Sequence, residues 1–177
     1  MRDGDEMLTE RLRLVPLTGE HRLAFQQSRR AFEVLLGVSL PAGWPEFPEA
    51  FSPGLAEAPA PWSPYLFLHR REPRLIGNGG YVGAPDAEAV VEIGYEIGPE
   101  HRGFGYATEA AEAMVAAAFA AGARAVIAHS LAETNASNAV MLKLGMRFDR
   151  ELEQEGMKIW RWRVDRPVNS PTPGPAV

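Results

Sequence analysis

The chain has no cysteine among its 177 residues. Disulfides, thiolate metal sites and an acyl-cysteine intermediate are therefore excluded, so any acyl transfer has to be direct or use another nucleophile. A reducing, cytoplasmic setting fits this composition. The histidines, His21, His69, His101 and His129, fall at no metal-ligand spacing, and no metal is expected. Long apolar runs are also missing. The longest uncharged one, residues 113–123, is far too short to span a bilayer, and residues 1–10 are mostly charged and lack a signal-peptide core, so a soluble protein without membrane association is expected. Basic excess is absent as well: a net charge of -5 and a pI near 5.4 argue against a nucleic-acid partner and suit cationic or amine ligands. No internal repeat is present. The oligomeric state is open, and a homodimer is compatible with everything above.

What is present is enough for one domain with a real core, since 46% of the residues are apolar. The chain is organised around residues 96–109, EIGPEHRGFGYATE, where a strand-like run ends in a proline turn and passes through Arg102, Gly103, Phe104, Gly105, Tyr106 and Ala107 into an alanine-rich helix. Two glycines allow a backbone to approach a ligand closely, and the first N–H groups of the helix have no partners within it. With the helix dipole and the charge of Arg102, this is the layout of a phosphate or pyrophosphate site. The same residues also suit a plain strand-to-helix turn. A phosphate loop would need Gly-Lys-Ser/Thr, which does not follow. A dinucleotide fingerprint would need Gly or Ala where Thr108 stands, and residues 120–128 offer no acid for a ribose.

In chain order, residues 9–17 alternate as a half-buried strand at a sheet edge. Thr18 caps a helix reaching Arg30, and a second short helix stops at Gly37. Residues 41–64 hold seven of the fifteen prolines and read as a long loop with a little helix. Its aromatic residues, Trp44 and Trp62 among them, are candidates for the acceptor site or for anchors to the core. Residues 65–69, 74–82 and 90–97 form an antiparallel meander, 108–121 a helix, and 125–131 a strand returning parallel to the one before the loop. Asn135 or Ser137 caps the next helix, which ends before Gly145. Residues 148–155 and 157–164 close the fold as a hairpin, and the proline-rich residues 165–177 read as a disordered tail.

Two motifs carry a family resemblance: VEIGYEIGPEHRGFGYATEA, residues 91–110, and HSLAETNASNAVMLKLGM, residues 129–146. Arg102, Gly105 and Ala107 meet the Arg/Gln-x-x-Gly-x-Gly/Ala pattern, and the chain over residues 8–164 resembles the GNAT superfamily of N-acyltransferases. It is most similar to the RimJ/RimL-type ribosomal-protein-alanine N-acetyltransferases. The resemblance implies a single-domain α/β fold with a mixed sheet of about seven strands, helices on both faces, and two parallel strands splayed by a bulge to admit acetyl-CoA. It further implies that amides near Tyr95, Glu96 and Ile97 hold the pantetheine and polarise the thioester carbonyl. Amides of residues 102–107 and the Thr108 hydroxyl would take the pyrophosphate. Asn135 would contact the pantetheine, and Asn138 and Lys143 the nucleotide end. Glu92 is the implied base, directly or through water, or else a structural ion-pair partner. Ser137 stands where a serine protonates the leaving thiolate, or else caps the helix. His129 lies nearby, and a core role suits it equally. The implied reaction is direct transfer of acetyl from acetyl-CoA to a primary amine, foremost a protein or peptide N-terminus. A small amine such as an antibiotic, polyamine or amino acid is the second reading, and a catalytically silent acyl-CoA-binding module the third.

Overall fold

A computed structural model describes residues 6–52, 58–133 and 135–167. Strands β1 (Met7–Leu8), β2 (Leu12–Pro16), β3 (Pro64–His69), β4 (Leu75–Tyr81), β5 (Val90–Ile97), β6 (Ala125–Leu131), β7 (Arg147–Gln154) and β8 (Met157–Asp165) form one sheet in the order β1-β2-β3-β4-β5-β6-β8-β7. Eight strands replace the expected seven or so. The extra one, β1, has two residues, too few for any periodicity to show in sequence. It also takes the edge position, so β2 is an inner strand paired on both sides. All pairings are antiparallel except β5 with β6.

Helices α1 (Gly19–Gln27) and α2 (Arg29–Leu36) cover one face; α3 (Tyr106–Ala120) and α4 (Ala136–Lys143) cover the other. Thr18 caps α1 through a capping box with His21. The break to α2 falls at Ser28, whose hydroxyl accepts from the Ala31 amide, rather than after Arg30. Alternation in β3 feeds both layers: Tyr65 and Phe67 enter the core under α3, and Leu66 and Leu68 the core under α1 and α2. The second core holds Phe32, Trp44 and Phe51, ringed by Phe25.

The β7–β8 hairpin turns at Glu155 and Gly156, both with positive φ (51° and 78°), which matches the right-handed twist of the strands it joins. Of the expected tail, Asp165 still belongs to β8, opposite Ala125. Residues 168–177 lie outside the described residues.

Candidate active site

The site starts where the sheet parts. β5 and β6 pair at Val90, Val91 and Glu92, and no pair follows Glu92 with Ile127. Both strands nevertheless run on, β5 held by β4 as far as Ile97 and β6 by β8 as far as Leu131. Two strand edges thus face each other across a gap. The β4–β5 register is unbroken through this region, and the register shifts recorded in the sheet fall at Phe67/Leu68 and Phe148/Arg150, so the splay forms without the expected bulge.

Alternation decides which groups face the gap. Val82 N–H donates to Glu92 O and Gly98 N–H to Ile76 O, placing the even-numbered peptide groups of β5 on β4. Those of Ile93, Tyr95 and Ile97 therefore point to β6. Tyr95 and Ile97 stand where an extended amide chain can pair. Glu96 does not: its peptide turns to β4, a correction that follows from period-two geometry.

Side chains alternate in the opposite sense. Val91, Ile93, Tyr95 and Ile97 belong to the α3 face, so Glu92, Gly94 and Glu96 face the other. There a cavity of about 380 Å³ opens, lined by residues including Phe47, Glu49, Asn78, Gly94, Glu96 and His129, and reaching through the gap to Tyr95, Ser137 and Met141. Gly94 forms part of its floor, and a Cβ added there meets nothing within 4 Å.

Glu96 is buried. Its Oε2 accepts from the amides of Glu46 (2.7 Å) and Phe47 (3.3 Å), and its Oε1 is buried without a hydrogen-bond partner. Burial raises its pKa above the usual carboxylate value, against the pull of those two amides and Asn78. Glu92 Oε1 lies 2.8 Å from His129 Nδ1. On the α4 side, Asn135 is the helix cap, its Oδ1 accepting from Asn138 N–H, so Ser137 is free of capping and lines the cavity. The Tyr95 hydroxyl is buried without a well-formed hydrogen bond, with Ser137 as polar neighbour. Burial pushes its pKa up to about 12, and Ser137 pulls the other way.

Beyond the gap lies the glycine loop. Gly103 and Gly105 adopt φ of 81° and 83°, and Gly105 is the N-cap of α3, offering no side chain to its first turn. The amides of Tyr106, Ala107 and Thr108 start the helix. An open groove of about 590 Å³ runs past Arg11, Gly105, Thr108, Glu109 and Lys143. Arg102 departs from expectation: its Nε donates to Ile97 O and its Nη2 pairs with Glu46 at 2.8 Å, so its charge fastens the loop instead of standing free for a phosphate. Asn138 is buried and donates to Glu133 O, shaping the turn before α4 instead of reaching a nucleotide. Trp44 is a core residue, 4% exposed, with Nε1 donating to Asn78 Oδ1, and not an acceptor contact. Trp62 packs edge-on against Tyr81, partly buried beside the core.

Sequence reading missed Arg11. It stacks over Tyr106 at 4.4 Å, donates to Phe104 O and pairs with Glu109, fixing the loop from the link between β1 and β2, about ninety positions away in sequence. Its only trace in the sequence is a place in an alternating strand. Among the described residues no cluster of His, Asp or Glu can hold a metal, and no helix is long and apolar enough to cross a membrane.

The acetyltransferase (GNAT) domain family matches residues 11–147. The uncharacterized N-acetyltransferase YoaA of Bacillus subtilis (strain 168) is 35% identical over 89 residues, 49% of this chain and 50% of its own length. The chain thus spans about half the length of this curated relative. Among solved structures, RimL, a ribosomal L7/L12 alpha-N-protein acetyltransferase in complex with coenzyme A, superposes with a TM-score of 0.65 at 16% identity, over 90% of this chain and 97% of that one. The spermidine N-acetyltransferase of Vibrio cholerae with CoA and spermine superposes with a TM-score of 0.53 at 16% identity, over 58% and 64%. At these identities the two structures speak for the fold.

Proposed function

Because the chain belongs to the GNAT acetyltransferase domain family, matched over residues 11–147, we propose that it transfers an acetyl group from acetyl-CoA to a primary amine within one ternary complex. The parted edges of β5 and β6 carry this reading, since they join a loop suited to phosphates with a cavity suited to an amine. The acyl donor fits the residues present. The peptide groups of Tyr95 and Ile97 would pair with the pantetheine arm and polarise the thioester carbonyl. The amides of residues 102–107 with the Thr108 hydroxyl would hold the pyrophosphate. Asn135 would meet the arm beside α4, and Lys143 the nucleotide end of the groove. Ser137, lining the cavity from α4, would protonate the departing thiolate.

The leading acceptor is a protein or peptide N-terminus, in keeping with the likeness to RimL, a ribosomal L7/L12 alpha-N-protein acetyltransferase. A small polyamine-like acceptor is the second reading, favoured by Glu49 and Glu96 in the cavity wall. Trp62 is kept as an acceptor-side candidate. A thiol-release screen with acetyl-CoA against peptides, polyamines, aminoglycosides and amino acids tests activity and acceptor together. Thiol release with a peptide N-terminus but not with polyamines supports the first reading. No release with any amine would leave a silent acyl-CoA-binding module.

A further inference from the structure

Building on the acetyl-transfer reading, we propose that His129 takes the proton from the acceptor ammonium, and that Glu92 is the positioning residue that holds its ring. The pair forms because Glu92 and Ile127 are the last partners before the strands separate, and His129, two residues beyond Ile127, shares their face. His129 Nδ1 meets Glu92 Oε1 at 2.8 Å. Its other nitrogen, Nε2, is buried with no hydrogen-bond partner among the described residues, and His129 lines the same cavity as Gly94.

Donor and acceptor chemistry fixes the tautomer. An ionised carboxylate only accepts, so the proton between the two groups sits on Nδ1. With its proton on Nδ1 the ring presents a lone pair at Nε2, which has no hydrogen-bond partner among the described residues. An ammonium in the cavity gives one proton to Nε2, and Glu92 stabilises the resulting imidazolium. The amine lone pair attacks the thioester carbonyl, the C–N bond forms and the C–S bond breaks. The second amine proton accompanies the electron pair to sulfur, through Ser137 or water, giving free thiol, while the proton on His129 returns to solvent.

Charged and polar groups from several elements surround the ring. Arg161 is its cross-strand partner on β8 and is held by Asp149 of β7 at 3.0 Å. Glu92 and Glu96 belong to β5, Glu49 to the 3-10 turn after α2, and the Tyr95 and Ser137 hydroxyls lie across the gap.

The test pairs 15N NMR of the histidine rings with thiol-release kinetics on wild type, His129→Gln, Glu92→Gln and Glu92→Asp. The His129 signals, assigned by their loss in His129→Gln, are expected to show the Nδ1–H tautomer at pH 8 in wild type and to lose it in Glu92→Gln. His129→Gln should lower kcat by about 10²–10⁴-fold, keep its stabilisation by acetyl-CoA, lose the ascending limb of the pH–rate profile and partly recover at high pH. Glu92→Gln should fall by less, with Glu92→Asp between it and wild type. An Nε2–H tautomer in wild type overturns the proposal without any need for turnover, even if a variant fails to fold. Near-wild-type rates in His129→Gln beside a dead Glu92→Gln also overturn it and make Glu92 the direct base. Absence of turnover in wild type with every amine overturns the acetyl-transfer reading itself, and this proposal with it.

Discussion

At Glu109, burial by itself raises the carboxyl's pKa, yet hydrogen bonds from the Thr9 hydroxyl, the Arg11 amide and the Arg11 guanidinium outweigh it and bring it below the ordinary range. The distances are 2.5, 2.7 and 2.7 Å, and they tie the first turn of α3 to the link between β1 and β2. A carboxylate whose folded pKa is depressed contributes stability that is fully present above its unfolded pKa and lost as the pH falls through the folded one. Glu109→Gln is therefore expected to cost about 1–3 kcal/mol at neutral pH. Urea unfolding across a pH series should show the gap between wild type and variant closing in acid, below the usual carboxylate pKa. A gap independent of pH would mean that shape, and not charge, sustains the contact. Nothing in the sequence pairs position 109 with positions 9 and 11. The partners come together only when β2 and α3 meet, which is why the glycine loop was legible and the clamp holding it was not.

Among the elements, the described residues of the 41–64 loop, 41–52 and 58–64, read differently once folded. Proline density made its irregularity plain, but its aromatic residues had two possible destinations, and hydrophobicity does not distinguish a buried ring from a waiting one. Trp44 stacks on Phe32 at 6.2 Å and meets Phe51 edge-on at 5.3 Å. Trp44→Ala is expected to cost about 3–5 kcal/mol of stability while leaving the acceptor KM of the folded fraction near its wild-type value. A raised acceptor KM in a fully folded variant would return Trp44 to the acceptor site. Gly94→Val probes the opposite case. It sits mid-strand with open space above its Cα, so the variant should fold, bind acetyl-CoA as wild type does, and raise acceptor KM by filling the cavity floor. Unchanged acceptor kinetics would move the acceptor seat away from β5. Periodicity and caps revealed most elements here, since Thr18 and Gly145 mark real helix ends. A two-residue strand and a one-residue break at Ser28 carry too little pattern to be read.

Across the whole molecule the two halves of the site are mechanically joined. Glu46 gives its amide to Glu96 on the cavity side and its carboxylate to Arg102 on the loop side, so the long loop, the central strand and the phosphate loop share one network. Sequence motifs identified the two ends of that network, but its middle depends on a loop packing that no short-range pattern encodes. A ligand that spans the gap should therefore stabilise the entire fold. For a ligand that binds only the native state, the gain is about 2.7 kcal/mol at one hundred times its Kd, or roughly 5–10 °C in Tm for a chain of this length. Acetyl-CoA is expected to give a shift of this order in a thermal melt, and NAD and ATP much less. Equal shifts from all three would make the groove a generic anion site. Gly105→Val supplies the control that ties the shift to the loop. Position 105 holds φ of 83° at the start of α3 and borders the groove, and a β-branched residue is strained there. The variant should keep its core, since a Cβ at that position meets only Arg11, at 3.5 Å. It should nevertheless misplace the amides of the helix's first turn and lose the acetyl-CoA shift. A folded Gly105→Val protein stabilised as fully as wild type would show that the loop is a turn and that the acyl donor is held elsewhere.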